Sequence, residues 1–373
     1  MRLAVILFNL GGPDAPEAVE PFLRNLFTDP DIISLPALLR LPLGRLIARR
    51  RAPVAQKIYA HLGGRSPIFE ETRAQADALE KELTHEGVEA KAFVAMRYWH
   101  PFSDGAARAA KAFDPDKIVL LPLYPQYSTT TTLSSLKDWQ RAAKKAGLEK
   151  PTSRACCYPW EPGFIAAAAA KIRHAMAGAP ESISYRLLLS AHGLPKRTVE
   201  KGDPYPWQVE QTAAAIVTAL AEPALEPVVC YQSRVGPLEW IGPSTDAQII
   251  RAGKDGKGVI VAPMAFVSEH SETLVELDIE YRKLAAEKGV PDYRRAATVG
   301  IHPEFILGLA GLVGFVFIKY AVPIMVIRWW IKYGRIKTTD PDFKSARKTA
   351  IFVSVASAIV LFVLHVNLFG LSL

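Results

Sequence analysis

The chain has 373 residues, half of them hydrophobic, which is enough apolar material for one large domain or two medium ones. It has three cysteines, Cys156, Cys157 and Cys230, with no CxxC spacing, and adjacent cysteines bridge poorly. A disulfide framework, a zinc site or a cysteine-ligated cluster is therefore not expected, and we interpret the cysteines as reduced thiols packed in strands. The net charge of +8 comes mostly from the apolar region after residue 313, where eight basic and two acidic side chains lie. This distribution favours a membrane surface and argues against a nucleic-acid partner.

The first predicted strand begins almost at the N-terminus. No charged region followed by an apolar core and a small-residue cleavage site precedes it, so we expect no signal peptide and a cytosolic body. Apolar runs rich in Val, Ile and Leu then alternate with helix-like stretches such as 73–87 and 209–222. This alternation predicts a parallel sheet covered on both faces, a doubly wound α/β architecture. The apolar runs lie at 3–9, 90–96, 117–123, 185–191, 227–232 and 258–266.

The two halves of the chain contain a weak internal repeat. Two pairs of segments align: "LFNLGGP" (7–13) with "LSAHGLP" (189–195), and "VLLPLYPQYSTTTT" (119–132) with "IVAPMAFVSEHSET" (260–273). Two similar halves that face each other would enclose a cleft at the carboxyl ends of their strands, where α/β sheets bind ligands. In this alignment His192 of the second half matches Leu10 of the first.

The repeat also locates an insertion in the first half. The interval from Leu10 to Pro122 is 41 positions longer than the interval from His192 to Pro263. The best candidate for the extra residues is 31–53, an apolar and basic segment with three prolines. It is expected to form a lip over the cleft, a patch that faces a membrane, or a segment that simply packs on the protein surface.

The C-terminal region contains a candidate membrane anchor. Residues 349–373 have no formal charge and are long enough to span a bilayer, so we predict a transmembrane segment there. The basic segment 314–348 should stay cytoplasmic and lie at the membrane interface. This arrangement predicts a protein anchored to the cytoplasmic face of the inner membrane. A hairpin in which 305–331 also spans the bilayer is the alternative.

Two patterns carry candidate chemistry. His192 ends an apolar run and is followed by Gly193 and Pro195, so a rigid imidazole faces the expected cleft, although a purely structural histidine would show the same local sequence. In "SEHSETLVELDIEY" (268–281), Glu269, Glu272 and Glu276 have the i, i+3, i+7 spacing of one helix face. Acidic residues also complement a helix dipole, but three aligned carboxylates beside a histidine suit a divalent cation or a proton path better.

Three further loops are rich in aromatic and polar residues. They contain Arg97 and Tyr98 in "MRYWHP", Tyr124 in "PLYPQYSTTTTLSS", and Trp240 in "YQSRVGPLEWIGPSTD". Such loops bind something flat and large, or they simply turn. The chain has no GxGxxG or P-loop pattern, so nucleotide sites have little support.

Five of these motifs, in matching order over roughly residues 1–313, closely resemble the ferrochelatase family, whose members insert ferrous iron into a porphyrin to complete haem. The motifs are "FNLGGP", "PLYPQYSTTTT", "LSAHGLPKRTVEKGDPY", "YQSRVGPLEWIGPSTD" and "SEHSETLVELDIEY". The resemblance implies two Rossmann-like halves, 1–150 with the lip near 31–53 and 151–313. It makes His192 and Glu272 the catalytic and metal-site residues. Glu269, His270 and Glu276 would continue an acidic track.

The resemblance also implies substrates and contacts. Fe²⁺ and protoporphyrin IX are the expected substrates, and no permanent cofactor or iron–sulfur cluster is expected, because too few cysteines are present. Leu10 lies where protoporphyrin-type members have an aliphatic residue, and Arg97 lies where the family has a propionate-binding arginine. Tyr98, Tyr124 and Trp240 are the other expected substrate contacts. Membrane lipid and the enzyme that supplies the porphyrin are expected partners.

The expected chemistry is the exchange of two pyrrole protons for one metal ion in a cleft that bends the ring. His192 and Glu272 would share the roles of proton acceptor and metal ligand. A chelatase for another metal or tetrapyrrole, or a non-catalytic membrane-tethered porphyrin or haem carrier, are the alternatives.

Overall fold

The computed structural model describes residues 1–84, 88–234, 236 and 238–314. Met1–Ala310 form one compact unit, and Gly311 begins a second. The predicted interfacial segment 314–348, apart from its first residue, and the predicted anchor 349–373 lie outside the described residues. Within the described ranges, no helix combines the length and the apolar character needed to cross a bilayer.

The first half is built on a parallel sheet of four strands with the order β2-β1-β3-β4. The central strand β1 is apolar almost throughout and buried along nearly its whole length, because helices cover both faces of the sheet. The strands are β1 (Arg2–Asn9), β2 (Glu89–Met96), β3 (Lys117–Pro122) and β4 (Thr152–Arg154). Since β4 pairs with β3, the first half extends beyond residue 150.

The second half repeats this topology with the strand order β6-β5-β7-β8. Phe8 pairs with Pro122 in the first sheet, and Ser190 pairs with Pro263 in the second. These are the positions that the sequence repeat equates, so the predicted internal repeat and the α/β class are confirmed. The strands are β5 (Tyr185–His192), β6 (Glu226–Gln232), β7 (Gly258–Pro263) and β8 (Tyr293–Arg295). The short strands β4 and β8 have no apolar run and were not predicted.

Helices cover the two sheets and begin and end at recognisable signals. Glu161 caps α6 by accepting hydrogen bonds from Gly163 N and Phe164 N, and Gly147 ends α5 with a positive φ of 62°. The helices are α1 (Val19–Phe27), α2 (Ala37–Ala60), α3 (Ile68–Thr84), α4 (Ser103–Phe113), α5 (Ser134–Ala146), α6 (Pro162–Met176), α7 (Lys196–Glu200), α8 (Tyr205–Leu220), α9 (Thr245–Lys254) and α10 (Tyr281–Glu287). A further helix runs over 303–314. Two π-helical segments follow β3 and β7, at Thr129–Leu133 and Glu272–Glu280.

The insertion predicted at 31–53 contains most of helix α2. This helix buries a stripe of small residues, Gly44, Ala48 and Ala52, and packs against α1. The approach is close, since a Cβ at Gly44 would lie 2.6 Å from the carbonyl oxygen of Phe27. The larger leucines of α2 are consequently turned outwards.

The carboxyl ends of the two sheets meet inside the compact unit. Asn9 Nδ2 at the end of β1 donates to Ser268 Oγ at 3.3 Å, and Gln126 Nε2 donates to the carbonyl of Met264 at 3.3 Å. Gln75 Nε2 of α3 donates to the carbonyl of Val267 at 2.7 Å. The segments that follow β1, β3 and β7 therefore form one region.

The cysteines are only partly where the sequence places them. Cys230 is buried within β6, as expected, but Cys156 and Cys157 lie in the irregular segment after β4, and Cys156 is exposed. The strand interpretation was wrong for this pair because β4 ends at Arg154.

Candidate active site

His192 is the last residue of β5 and presents one free ring nitrogen. Its Nδ1 lies 2.6 Å from the carbonyl oxygen of Gly193. Because a carbonyl can only accept, Nδ1 is the protonated nitrogen of the neutral ring, and Nε2 has the free lone pair. Space at Gly193 is tight, since a Cβ at this position would lie 3.1 Å from both the Gln232 carbonyl oxygen and the Trp240 ring. The side chain of His192 is 37% exposed, so Nε2 can exchange protons with water.

Glu272 begins the π-helical segment after β7 and lies between two imidazoles. Its Oε1 is 3.9 Å from His192 Nε2, and its Oε2 is 3.8 Å from His270 Nε2. The Oε2 atom is buried and has no hydrogen-bond partner among the described residues. The ring of His270 is oriented in the same way as that of His192, with Nδ1 3.1 Å from the carbonyl of Ser268. Two nitrogens that can accept a proton and one carboxylate therefore converge.

The two histidines keep the Glu272 carboxylate ionised. Burial by itself raises the pKa of Glu272, but the positive charges that His192 and His270 carry when protonated outweigh burial and lower the pKa to about 2. The reciprocal effect acts on His270: burial lowers its pKa, and the nearby Glu272 carboxylate raises it to a net value above the usual one. Glu272 is accordingly a weak base that stays charged near neutral pH.

Glu276 lies one turn further along and is fully hydrogen-bonded. Ser233 N and the Tyr281 hydroxyl donate to its Oε1 at 2.9 and 3.0 Å, and Gln232 Nε2 and Ser233 Oγ donate to its Oε2 at 3.1 and 2.5 Å. Burial and the nearby Glu272 charge raise the pKa of Glu276. Both carboxylate oxygens of Glu276 are therefore already hydrogen-bonded, in contrast to Oε2 of Glu272.

Glu269 does not share a helix face with Glu272 and Glu276, which corrects the i, i+3, i+7 prediction. It precedes the helix, accepts hydrogen bonds from Arg295 at 3.0 Å and Thr298 N at 2.9 Å, and is paired with that arginine. The prediction was wrong because the segment is a π-helix that begins at Glu272, whose periodicity differs from that of an α-helix.

Two residues that orient this site, Gln232 and Ser233, were not predicted from the sequence. Gln232 ends β6 and donates from Nε2 to the Glu272 carbonyl at 3.1 Å, while its Oε1 accepts from Ser190 Oγ at 2.8 Å. Ser233, with a φ of 61°, turns the chain so that its amide reaches Glu276. One signal was available, since Gln232 ends its strand at the same edge of the sheet as His192.

Arg97 and Tyr98 are held by a buried aspartate that the sequence did not single out. Asp29 Oδ2 accepts from Arg97 Nη2 at 2.7 Å, from the Tyr98 hydroxyl at 2.7 Å and from Ser134 Oγ at 2.6 Å. Tyr98 is completely buried, which corrects the expectation that it contacts the substrate. Arg97 remains partly exposed, beside a cavity of about 280 Å³ that Asp29, Asp104 and Arg141 also line.

The other expected substrate contacts differ in position. Trp240 lies next to the His192 imidazole, with ring centroids 6.4 Å apart, and no described residue hydrogen-bonds its buried Nε1. Leu10 is half-buried against the cluster formed by α1 and α2. Tyr124 packs on the core of the first half, and its hydroxyl lies 3.4 Å from Ser135 Oγ. Of these three, Trp240 is the one placed beside His192.

The sequence of the first 314 residues matches a known family. The family model described as Ferrochelatase covers residues 2–314. The chain belongs to the ferrochelatase family. Its members insert Fe²⁺ into protoporphyrin during haem synthesis, so the resemblance noted from the motifs is confirmed.

Curated relatives support the same family over most of their length. Ferrochelatase from Caulobacter vibrioides strain NA1000 is 57% identical over 311 residues, covering 83% of this chain and 88% of the relative. Ferrochelatase from Pelagibacter ubique is 48% identical, covering 84% and 91%. Among solved structures, SirB from Bacillus subtilis with Fe³⁺ is 15% identical and covers 85% of this chain and 96% of its own, with a TM-score of 0.47.

The two halves of the internal repeat contribute unequally to the ferrochelatase site. His192 corresponds to Leu10 in the first half, and the register that equates Pro263 with Pro122 places Glu272 opposite Thr131. Thr131 lies in the shorter π-helical segment. Both reactive side chains therefore come from the second half, and their counterparts are an aliphatic side chain and a hydroxyl.

Proposed function

We propose that this ferrochelatase inserts Fe²⁺ into protoporphyrin IX with His192 as the proton acceptor and Glu272 as the ligand that holds the incoming ion. The observation that carries this assignment is the buried, unpartnered Oε2 of an ionised Glu272 beside a histidine whose Nε2 is free. An ionised carboxylate is a weaker base than an imidazole and a good ligand for a cation. The imidazole is the better base.

The geometry places the ion beside the base. A bond from a carboxylate oxygen to a first-row divalent cation is roughly 2.0–2.2 Å, so an ion held by Glu272 would lie next to His192 Nε2, which is 3.9 Å from Glu272 Oε1 and keeps its lone pair for a proton. Within the described ranges, no three His, Cys, Asp or Glu side chains form a complete metal site. An incomplete site suits an ion that must be passed on to four pyrrole nitrogens.

Insertion also requires the loss of two pyrrole protons. His192 Nε2 takes the first proton, and because the ring is partly exposed it can release that proton to water and then take the second. Metal and base lie on the same side of the macrocycle, because both residues belong to the second half. The half-buried Leu10 supports protoporphyrin over a porphyrin with more propionates, since an aliphatic side chain has no donor for an additional carboxylate.

Anaerobic Soret-band spectroscopy of the purified full chain with Fe²⁺ and protoporphyrin IX tests the function. We expect haem formation, a higher KM for Fe²⁺ in Glu272→Gln, and a lower kcat with an unchanged KM for Fe²⁺ in His192→Ala. The exchanged result, in which His192→Ala raises the KM for Fe²⁺ and Glu272→Gln lowers kcat alone, would reverse the two roles. Turnover of coproporphyrin in preference to protoporphyrin would overturn the substrate assignment.

We further propose that the protein works at the cytoplasmic face of a membrane, anchored through 349–373 and supported by α2. The outward face of α2 has the exposed side chains Leu38, Leu39 and Leu46, and Leu38 is 86% exposed. The helix contains five arginines, one lysine and no acidic residue. A helix that buries glycine and alanine while exposing leucine and arginine has the composition of an interfacial helix on anionic lipid.

The opposite end of α2 contacts the catalytic segment. Ser271 Oγ donates to the Tyr59 hydroxyl at 3.5 Å, directly before Glu272. With 24 residues, α2 is about 36 Å long, which supports a direct connection between a lipid surface and the cleft. Porphyrin, which partitions into lipid, would then enter from the membrane side.

A further inference from the structure

The two adjacent cysteines form an accessible dithiol that the insertion reaction does not use. Cys157 Sγ lies 3.0 Å from Cys156 Sγ, in the irregular segment after β4. Cys156 is exposed and Cys157 is half-buried. One sulfur can therefore meet a reagent from solvent, while the other lies directly behind it.

The surroundings make the two thiols different, because Cys156 loses its proton more readily than Cys157 does. Cys157 donates its thiol hydrogen to Cys156, and this hydrogen bond, with Arg154 nearby, lowers the pKa of Cys156 to about 7 against the opposing effect of burial. Gln208 Nε2 lies 3.5 Å from Cys157 Sγ and supports the inner sulfur. Because the thiolate is the nucleophile in disulfide exchange, Cys156 is the attacking residue and Cys157 the resolving one.

We propose that Cys156 and Cys157 form a reversible redox site that closes to a vicinal disulfide with a low-molecular-weight disulfide of the glutathione class. The Cys156 thiolate attacks one sulfur of the oxidant, forms a mixed disulfide and releases one thiolate. The Cys157 thiol then gives its proton to that thiolate, and its sulfur attacks Cys156 Sγ and expels the second thiolate. The second thiolate takes from water the proton that Cys156 released on ionising, so the protein loses two electrons and the oxidant becomes two thiols.

Covalent geometry makes this bond labile. The Cα atoms of adjacent residues are about 3.8 Å apart across a trans peptide, whereas unstrained disulfides usually need about 4.4–6.8 Å. A strained disulfide has a more oxidising potential and is reduced readily, which is typical of a regulatory disulfide. A disulfide between adjacent cysteines is strained. This strain argues against a permanent structural disulfide and in favour of a reversible one.

The site lies where the two halves are joined. Gln208, which supports Cys157, also accepts a hydrogen bond from Tyr127 N through Oε1 at 2.7 Å. Tyr127 belongs to the segment after β3 in the first half, and Gln208 belongs to α8 in the second. Movement of the inner sulfur towards Cys156 removes one contact of this junction.

Redox titration of the full chain in detergent, with glutathione buffers and peptide mapping by mass spectrometry, tests the proposal. We expect a linked 156–157 peptide that has lost two hydrogen atoms. Dilution into reduced glutathione should convert it completely back to the dithiol form, and neither Cys156→Ser nor Cys157→Ser should form it. Cys230→Ser, which alters the buried thiol of β6, is the matched control and should titrate like the parent chain.

A second reagent probes the reduced form. Phenylarsine oxide, which needs two neighbouring thiols, should bind the reduced parent chain and Cys230→Ser at one equivalent and should not bind either other variant. A persistent glutathione adduct on Cys156 without closure, a disulfide between two chains, or no oxidation in strongly oxidising buffer would each overturn the proposal.

Discussion

Glu272 Oε1 lies 3.9 Å from His192 Nε2, which is too far for a hydrogen bond, so neither atom occupies the lone pair of the other. The two side chains come from different strand ends, and each is oriented by a bond to its surroundings. His192 is oriented through Nδ1 to the Gly193 carbonyl. The main chain of Glu272 is oriented by Gln232. These bonds leave His192 Nε2 its lone pair, and among the described residues Glu272 Oε2 has no hydrogen-bond partner.

Replacement of His192 by alanine should remove insertion and spare porphyrin binding. We expect kcat to fall by roughly 10²–10⁴-fold, because a positioned general base contributes about that much. Soret spectroscopy measures turnover, and quenching of porphyrin fluorescence measures binding. His174→Ala, at an exposed histidine in the last turn of α6, is the control and should keep the parent rate. Full turnover of His192→Ala would remove the assignment.

Replacement of Glu272 by glutamine should lower the pKa of His270. The negative charge of Glu272 favours the imidazolium form and raises that pKa, so its removal shifts the titration of His270 to lower pH. NMR titration of the His270 ring protons in both proteins provides the measurement. An unchanged titration midpoint would mean that the two side chains do not interact as their 3.8 Å separation indicates.

The loss of Glu276 should reduce stability more than the loss of Glu272. Glu276→Ala leaves the donors of Ser233, Gln232 and Tyr281 without their acceptor, which we expect to cost about 1–3 kcal/mol of the free energy of unfolding. Glu272→Ala removes a carboxylate with one unpartnered oxygen and should cost less. Urea unfolding monitored by circular dichroism compares the variants, and equal losses would contradict the distinction drawn between these carboxylates.

Tyr98 should prove structural. Tyr98→Phe removes one of the three side-chain hydrogen bonds to Oδ2 of the buried Asp29 carboxylate, with an expected loss of about 1.5–3 kcal/mol and no change in the KM for porphyrin. Asp29→Ala removes the partner of Arg97 and should cost more, about 3–5 kcal/mol. Thermal unfolding and steady-state kinetics measure the two effects. A raised KM in Tyr98→Phe with unchanged stability would restore Tyr98 as a substrate contact.

The exposed face of α2 should bind anionic lipid without the C-terminal anchor. A chain that ends at residue 317 should float with vesicles of phosphatidylethanolamine and phosphatidylglycerol and should dissociate at high salt. Leu38→Glu with Leu39→Glu should abolish flotation and leave activity on detergent-solubilised porphyrin unchanged. Trp207→Glu changes an exposed apolar residue of α8 and is the matched control. Loss of binding in the control as well, or binding unaffected in the α2 variant, would refute this role of the helix.

The alternation of apolar runs and helices determined the α/β class, the six longer strands and the internal repeat. These features are readable from sequence because burial of both sheet faces demands continuous Val, Ile and Leu. The same reasoning placed His192 at a strand end, where the chain must leave the sheet. It could not find β4 or β8, which have three residues each and no apolar run.

Only the tertiary structure decided which carboxylates are free. Glu269, Glu272 and Glu276 look alike in sequence, yet Arg295 pairs with the first and Ser233, Gln232 and Tyr281 bind the third. These partners are distant along the chain or depend on a π-helix whose hydrogen-bond register no local spacing reveals. The buried Asp29 that holds Arg97 and Tyr98 was missed for the same reason. Local periodicity determines which side chains face the interior, whereas the partner of each polar group depends on segments that meet only after folding.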